Sequence, residues 1–413
     1  MKISNGVSRW LLALSILITV TGLCRASDPG STGRQPANSI IVAVNQDTTF
    51  PAPNATVFYS VNGTQLTYQS ATNTGGYGIQ GGFFGTSRVS SVPSLSAPCI
   101  YTSDASSNDI ASISLPSQQL VGTFFPSSTD DGSANGIGLA VNSSYLYASF
   151  TASNTIGTFS LQSGCGLAFL GDVSAVGLQG GSITGMAVNG TMLVVAYGDG
   201  SIESFSVSGG LPVSNGDRQN SAGYTGSSSC PNCYSGSLPS GVDLTADGQF
   251  ALFGDIAAKT IVEVSSLTTG KLTPTVAYRV GNAVDAGAIR LSPDESLLYI
   301  ANSEAGSVTA AFFDKTTGAV AAGCTSHTLK GFNALPWLGS VVTRDPTGTG
   351  NILYVDEFAR DTSEVNHGAA SQIGILAITS NGTSCSLTET STSPILLTFP
   401  GALSIGVYPP RPF

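Results

Sequence analysis

A short pattern of apolar runs and turns recurs along this chain and constrains its fold more than any other feature. The clearest copy spans residues 288–318, where two apolar runs flank the turn Ser292-Pro-Asp-Glu-Ser296 and a third run ends at Asp314. The proline ring fixes its backbone φ angle, and the aspartate side chain can accept hydrogen bonds from nearby backbone amides. Such a turn therefore favours a tight hairpin. Each copy therefore predicts a small antiparallel sheet. Further copies begin near residues 137, 183, 242 and 341, and a degenerate copy spans about 83–114.

Repeats of about 40–50 residues with short strands are typical of β-propeller blades. Six internal copies are recognisable, and the two ends supply a seventh: residues 40–68 lack a first strand, whereas residues 402–409 form one with no blade after it. Pairing the two ends closes the ring and removes both open sheet edges. We therefore predict an all-β, seven-bladed β-propeller closed by the C-terminal strand (about 402–409) joining the N-terminal blade. Six or eight blades are the alternatives.

The N-terminus has the pattern of an export signal. A basic start precedes an apolar stretch from Trp10 to Leu23, and small residues follow up to Ala26. This stretch is shorter than the roughly 20 residues that a transmembrane helix needs. We predict three segments: a signal peptide at 1–26, a flexible linker at 27–38 and a single propeller domain at 39–413.

The charge balance excludes some partners. The chain carries 15 basic and 25 acidic residues, a net charge of −10. Acidic surfaces disfavour nucleic acid and anionic lipid. We expect an exported, extracytoplasmic monomer, secreted or periplasmic, without a transmembrane span in the mature chain. A lipoprotein anchored through Cys24 is the alternative.

Six cysteines remain after removal of the signal, and an even number in an exported protein predicts disulfides. The sequence does not choose their pairing. Cys230 and Cys233 form a CxxC motif in a Ser/Gly-rich loop. We interpret it as a local disulfide, because redox CxxC motifs usually open a helix. A zinc site would need a second pair of ligands, and none is spaced for it; we expect no metal and no cofactor.

The repeated phrase resembles that of the seven-bladed lactonase-like and YVTN-type propeller family. Leu291–Asn302 matches the family's "SPDG…LYVAN" phrase, with Glu295 where Gly is usual. These residues build the turn between the first and second strands of a blade, so the resemblance implies the propeller fold and does not by itself imply catalysis. Members similar to 6-phosphogluconolactonase carry Arg, His and Glu at one mouth of the ring, with an Arg-His pair ahead of a first strand. The aligned positions here are Gly287 and Ala288, which cannot supply that chemistry.

One long loop concentrates charge in a chain with few charged residues. Loops from second to third strands, and from fourth strands to the next blade, open on one face of a propeller, and long loops are often functional. The predicted loop 356–371 belongs to this set, as does 211–241. An acid/base cluster or a cation site is one interpretation; a solvated, exposed loop is the other. The candidate catalytic residues are Glu357 as acid, Arg360 as anion clamp and His367 as base, and the candidate ligand-binding residues are Asp356, Asp361 and Glu364.

Two functions are compatible with these patterns. The first is a non-catalytic binding module whose partner is a protein, a glycan or a small molecule held at the loop-rich mouth. The missing Arg-His pair and the scarcity of groups that titrate near neutral pH favour it. The second is a lactone hydrolase or lyase of the 6-phosphogluconolactonase-like family.

Two isolated charged residues have structural interpretations. Arg290 lies in a predicted first strand, where a buried charge needs a partner, and we expect an ion pair with Asp243 or Asp285. His327, one of only two histidines, is expected on the surface of an outer strand.

Overall fold

The computed structural model describes residues 40–79, 87–92, 97–133, 136–222, 239–256, 261–280, 286–302, 305–330, 337–343, 351–358, 371–397 and 404–410. All of them belong to the unit Pro36–Phe413. The other unit, Met1–Gln35, lies outside the described residues together with the predicted signal peptide. In the described part of the chain, no helix has the length and apolarity needed to cross a membrane.

The described residues are almost entirely strand and turn, with one short 3-10 helix at Ser163–Cys165. In chain order, the strands are β1 (Ile41–Asn45), β2 (Ala55–Asn62), β3 (Gln65–Asn73), β4 (Val89–Val92), β5 (Cys99–Asp104), β6 (Asp109–Ser114), β7 (Gln119–Phe124), β8 (Ile137–Val141), β9 (Tyr145–Phe150), β10 (Thr155–Leu161), β11 (Leu167–Ser174), β12 (Ile183–Asn189), β13 (Met192–Tyr197), β14 (Ser201–Ser206), β15 (Val213–Ser214), β16 (Gln219–Asn220), β17 (Pro239–Leu244), β18 (Phe250–Asp255), β19 (Ile261–Ser266), β20 (Val276–Arg279), β21 (Ala286–Leu291), β22 (Leu297–Asn302), β23 (Ser307–Asp314), β24 (Ala319–Ala321), β25 (His327–Thr328), β26 (Trp337–Thr343), β27 (Ile352–Phe358), β28 (Gln372–Ser380), β29 (Cys385–Glu389), β30 (Ile395–Leu396) and β31 (Ser404–Tyr408).

The described strands form seven antiparallel sheets, and each sheet is one blade. Successive first strands contact one another around the ring, as β12 contacts β17 and β17 contacts β21. The seven-bladed propeller is therefore confirmed. The blades are blade 1 (β4–β7), blade 2 (β8–β11), blade 3 (β12–β16), blade 4 (β17–β20), blade 5 (β21–β25), blade 6 (β26–β30) and blade 7 (β31 followed by β1–β3).

The ring closes through pairing of the two ends of the chain. In blade 7, β31 pairs antiparallel with β1, and Val407 lies opposite Val42. The C-terminal strand is thus the first strand of the blade that the N-terminal segment completes, as predicted. The pairing leaves neither chain end as an open inner edge.

Turn chemistry explains how the repeated phrase folds. In the hairpin between β21 and β22, Asp294 accepts hydrogen bonds from Ser292 and Ser296. Glu295 adopts φ 61°, the left-handed region that favours glycine. Its carboxylate accepts a hydrogen bond from the Ala246 amide of blade 4 at 2.5 Å. A contact between blades therefore accompanies the unusual residue at this position.

Apolar cores lie between neighbouring blades rather than inside one blade. The core between blades 1 and 2 joins Tyr101 and Ile110 to Leu146 and Phe150. Two disulfides cross the same kind of seam: Cys99–Cys165 links blades 1 and 2, and Cys324–Cys385 links blades 5 and 6. The predicted disulfides are confirmed for these four cysteines, and their pairing follows from which blades are adjacent. Cys230 and Cys233 lie outside the described residues.

Candidate functional site

One face of the ring gathers the starts of the first strands, the ends of the second strands and the starts of the third strands. On this face, blades 6, 7 and 1 bring together three buried charged side chains and one serine. We call Asp47, Arg88, Asp356 and Ser404 the mouth cluster.

Arg88 lies directly ahead of β4, the first strand of blade 1. Its carbonyl oxygen accepts a hydrogen bond from the Ser103 amide at 3.0 Å. In blade 5 the equivalent pair is Ala288 and Ala301. A small residue thus occupies in blade 5 the place where blade 1 carries a guanidinium group. Two further blades have glycine at this position, Gly185 and Gly241.

Arg88 joins blade 1 to blades 7 and 2. Its Nη1 donates to Oδ2 of Asp47 at 2.7 Å, and both side chains are almost completely buried, at 2% and 0% exposure. The guanidinium group lies against Gly136 of blade 2, where an added Cβ would be 2.6 Å from Nη2. Ser404 accepts a hydrogen bond from the Arg88 amide at 2.8 Å. The arginine is therefore held on three sides.

Asp356 contributes a carboxyl group from blade 6. Predicted to begin a loop, it lies within β27 and is completely buried, so the interpretation as an exposed loop residue is wrong. At the same register position, other blades have the small residues Ser103, Gly254 and Ala301. Within the described part of the chain, neither carboxyl oxygen of Asp356 has a hydrogen-bond partner.

The electrostatic setting of Asp356 favours its neutral form. Burial raises its pKa well above the usual range, the neighbouring Glu357 raises it further, and the positive charge of Arg88 lowers it. Burial is the largest of the three effects, because a charged carboxylate loses its hydration there. The protonated form of Asp356 is therefore favoured far more than that of an exposed aspartate.

Glu357 points to the other side of the same strand, because successive strand residues alternate between faces. It is also completely buried, so exposure is a wrong expectation here too. Its Oε2 accepts a hydrogen bond from Gln372 at 2.5 Å, and its Oε1 lies close to Gly374. Burial raises the pKa of Glu357 to about 8, partly opposed by the hydrogen bond from Gln372. Glu357 and Asp356 thus occupy different seams between blades.

Glu357 gives stability a defined pH dependence. Its folded-state pKa is about 8, above the ordinary value of about 4.3. Between these values the unfolded chain loses the proton and the folded chain keeps it, so stability falls as pH rises, by up to about 1.4 kcal/mol per pH unit. We expect Glu357→Gln to reduce this slope, as measured by urea unfolding from pH 5 to 9. An unchanged slope would show that Glu357 ionises normally in the folded protein.

Of the other residues named from the sequence, some lie in the described part of the chain and four lie outside it. Arg290 Nη1 lies 3.5 Å from Oδ1 of Asp243, which confirms the predicted ion pair. His327 lies in the outer strand β25 with its side chain 27% exposed, and its Nε2 is 3.4 Å from Oε2 of Glu389. The described residues contain no group of three or more His, Cys, Asp or Glu side chains arranged to hold a metal ion. Four candidate site residues lie outside the described residues: Arg360, Asp361, Glu364 and His367.

The sequence predicts Asp356 as a site residue but does not single out Arg88. The blade containing Arg88 is the degenerate copy, which lacks a turn of the Pro-Asp, Asn-Ser, Asn-Gly or Asp-Gly kind that aligns the others. The available signal is an arginine immediately before the short segment Val89–Val92, at the position that Ala288 occupies in the clearest copy.

Comparison with known proteins places this geometry in a family. The family described as lactonase, 7-bladed beta-propeller, matches residues 101–400. None of the curated proteins matches the sequence. Three solved structures share the fold: a Lactobacillus plantarum protein (16% identity, TM-score 0.63, covering 89% of this chain and 99% of that one), the Pseudomonas aeruginosa periplasmic gluconolactonase PpgL (13%, 0.62, 89% and 99%) and a 6-phosphogluconolactonase candidate of Bacteroides fragilis (15%, 0.61, 92% and 99%). The chain belongs to the seven-bladed β-propeller lactonase family.

Proposed function

We propose that the protein hydrolyses a lactone, a cyclic ester, at the mouth cluster. The observation that carries the proposal is Asp356, whose buried carboxyl group has no hydrogen-bond partner among the described residues and lies close enough to Arg88 for the guanidinium charge to lower its pKa. A carboxyl group with a raised pKa is suited to general acid catalysis. Membership of the lactonase family supports an ester substrate. The name of the P. aeruginosa neighbour, a gluconolactonase, supports a sugar lactone.

The chemistry assigns a separate task to each charged side chain. The water oxygen adds to the carbonyl carbon, the ring C–O bond breaks, and the ring oxygen takes up a proton to give a hydroxy acid. Asp356 donates that proton and is reprotonated by the proton that the attacking water loses. The positive charge of Arg88 stabilises the oxyanion that develops on the carbonyl oxygen. Asp47 is a positioning residue that fixes the guanidinium group.

The test is acid release from a panel of five- and six-membered sugar lactones, followed with a pH indicator. We expect wild-type protein to exceed the spontaneous rate, and Asp356→Asn to lower kcat by about 100-fold or more, since positioned proton transfer contributes about that much. Asn is neutral and nearly isosteric, so the fold should survive, as a thermal melt checks. Asp314→Asn, in a hairpin turn, is the matched control and should keep full activity.

A second candidate function is binding without catalysis at the same mouth. The closed Arg88–Asp47 pair favours it, because a guanidinium already neutralised by a carboxylate is a weaker oxyanion donor. The histidine that the structure describes, His327, lies in an outer strand away from the mouth cluster. Calorimetry with a lactone and its hydroxy acid separates the two functions. Saturable binding without acid release would establish the binding module and exclude the hydrolase.

A further inference from the structure

A cleft lies between blades 5 and 6 on the face of the ring opposite the mouth cluster. The turn at residues 292–296, where the first strand of blade 5 ends, forms one side of it. Its volume is about 710 Å³, within the range of cavities that hold drug-sized ligands. We call it the lower cleft. Its lining includes Asp294, Phe312, Asp314, Ala319, Ala321 and Ile378.

The floor of the lower cleft is apolar and rests on the core between the two blades. Ile378 belongs to this core and Phe312 packs against it, together with the Cys324–Cys385 disulfide. A Cβ on Gly323 would lie 2.5 Å from the Phe312 ring, so the backbone beside Cys324 lies directly against that ring. The disulfide fixes the blade 5 wall to the blade 6 wall and thereby preorganises the cleft.

Phe312 departs from the repeat that builds the ring. It pairs with Leu297, the first residue of the second strand of its blade. At this register position four other blades carry serine: Ser114, Ser160, Ser206 and Ser266. The outer strand β24 adds only the small side chains of Ala319 and Ala321 to the lining. The repeat therefore does not need an aromatic ring here, and the alanines leave room above it.

Two carboxylates accompany the apolar floor. Hydrogen bonds within its turn, above all from the Thr317 hydroxyl, lower the pKa of Asp314. Burial alone would raise the pKa of Asp294, but hydrogen bonds from two serines of its turn outweigh burial and lower it. The lining residues, all in the described part of the chain, include no Lys, Arg or His. The lower cleft thus combines negative charge with an aromatic floor.

We propose that the lower cleft binds an arginine side chain presented by an extended peptide segment of a partner protein. A planar guanidinium group stacks on an aromatic ring and donates to carboxylate oxygens, while its aliphatic stem covers apolar surface. Lysine, a point charge, matches this surface less well. Free arginine brings its own carboxylate, which two ionised aspartates repel; inside a peptide that charge is absent. This site does not depend on the proposed lactonase activity.

The experiment titrates the full chain with the tripeptide Ala-Arg-Ala, capped at both ends, by calorimetry at low ionic strength. We expect one saturable site per chain and weaker binding in added NaCl, which screens the charges. Capped Ala-Gln-Ala should not bind, and free arginine should bind more weakly than the peptide. No saturable heat up to about 1 mM Ala-Arg-Ala, or equal heat from Ala-Gln-Ala, would overturn the proposal. Binding of the neutral disaccharide cellobiose in place of the arginine peptide would overturn it in favour of a glycan site.

Two variants test whether the peptide binds in the lower cleft. Phe312→Ser introduces the residue that blades 1–4 carry and should weaken binding about 5-fold. Asp294→Asn removes a charge but still accepts the hydrogen bonds of the turn, and should weaken binding about 3-fold. Asp247→Asn is the matched control, because Asp247 accepts similar hydrogen bonds in the equivalent turn of blade 4 and does not line the cleft. Unchanged affinity in both cleft variants, with folding checked by a thermal melt, would place the peptide elsewhere and contradict the assignment.

Discussion

Replacing Arg88 by Met is expected to lower the free energy of unfolding by about 3–5 kcal/mol, the usual cost of removing one partner of a buried ion pair. Asp47 is completely buried and would lose the guanidinium group bound at 2.7 Å. Met fills a similar volume against Gly136, so lost packing contributes little. Urea unfolding monitored by tryptophan fluorescence and by circular dichroism measures the change.

Arg290→Met is the matched control for this prediction. Arg290 lies in a first strand, close to the position that Arg88 has ahead of β4, but its side chain is 30% exposed and its contact with Asp243 is longer, at 3.5 Å. Asp243 keeps hydrogen bonds from the backbone amides of Leu244 and Leu291. We therefore expect a loss of at most about 1 kcal/mol. Equal losses in the two variants would contradict a special role for burial.

A second substitution tests whether the unpaired charge of Asp47 causes the stability loss of Arg88→Met. Asp47 adopts φ 50°, a conformation that Asn also tolerates. An Asn at this position keeps an oxygen to accept the hydrogen bond from the Ile79 amide. Adding Asp47→Asn to Arg88→Met should therefore recover part of the lost stability, because no buried charge then remains. Without any recovery, lost packing rather than charge would explain the effect.

The fold was predictable because the repeat carries its own turn chemistry. The Ser-Pro-Asp turn and its counterparts set the hairpins, and the incomplete units at the two ends indicated the pairing of β31 with β1. Local patterns of this kind depend only on residues that are neighbours in the chain. One sequence is therefore enough to predict the hairpins and the blade repeat.

The mouth cluster was only partly predictable, because it depends on contacts between blades. The sequence predicts Asp356 as a site residue by its charge but places it at the start of a loop, although β27 continues through it. In a strand pattern a charged residue usually marks the end, and only the packing of blade 7 against blade 6 buries this one. Arg88 and Asp47 lie 41 residues apart in neighbouring blades, and the local pattern of neither segment indicates that they pair. The cysteine pairing was unpredictable for the same reason.

The disulfide between Cys99 and Cys165 links blade 1 to blade 2. We expect its removal to lower the free energy of unfolding by as much as Arg88→Met does. The bond closes a segment with a sequence separation of 66 residues. Loop-closure entropy for that length predicts a loss of about 4 kcal/mol when both cysteines are replaced by alanine. The loss arises mainly in the unfolded chain, which gains freedom once the link is gone.

Paired measurements separate this entropy from packing. Both sulfur atoms are buried in the core between the two blades, so Cys99→Ala with Cys165→Ala also removes apolar contacts. The matched control is the Cys324–Cys385 bond, with a similar separation of 61 residues, for which the entropic loss should be nearly the same. Reduction of wild-type protein breaks both bonds without removing side-chain atoms. If the cross-links act through the unfolded state, reduction should lower the free energy of unfolding by nearly the sum of the two alanine variants. A small effect of reduction beside large effects of the alanine variants would instead assign the stabilisation to packing in the seams between blades.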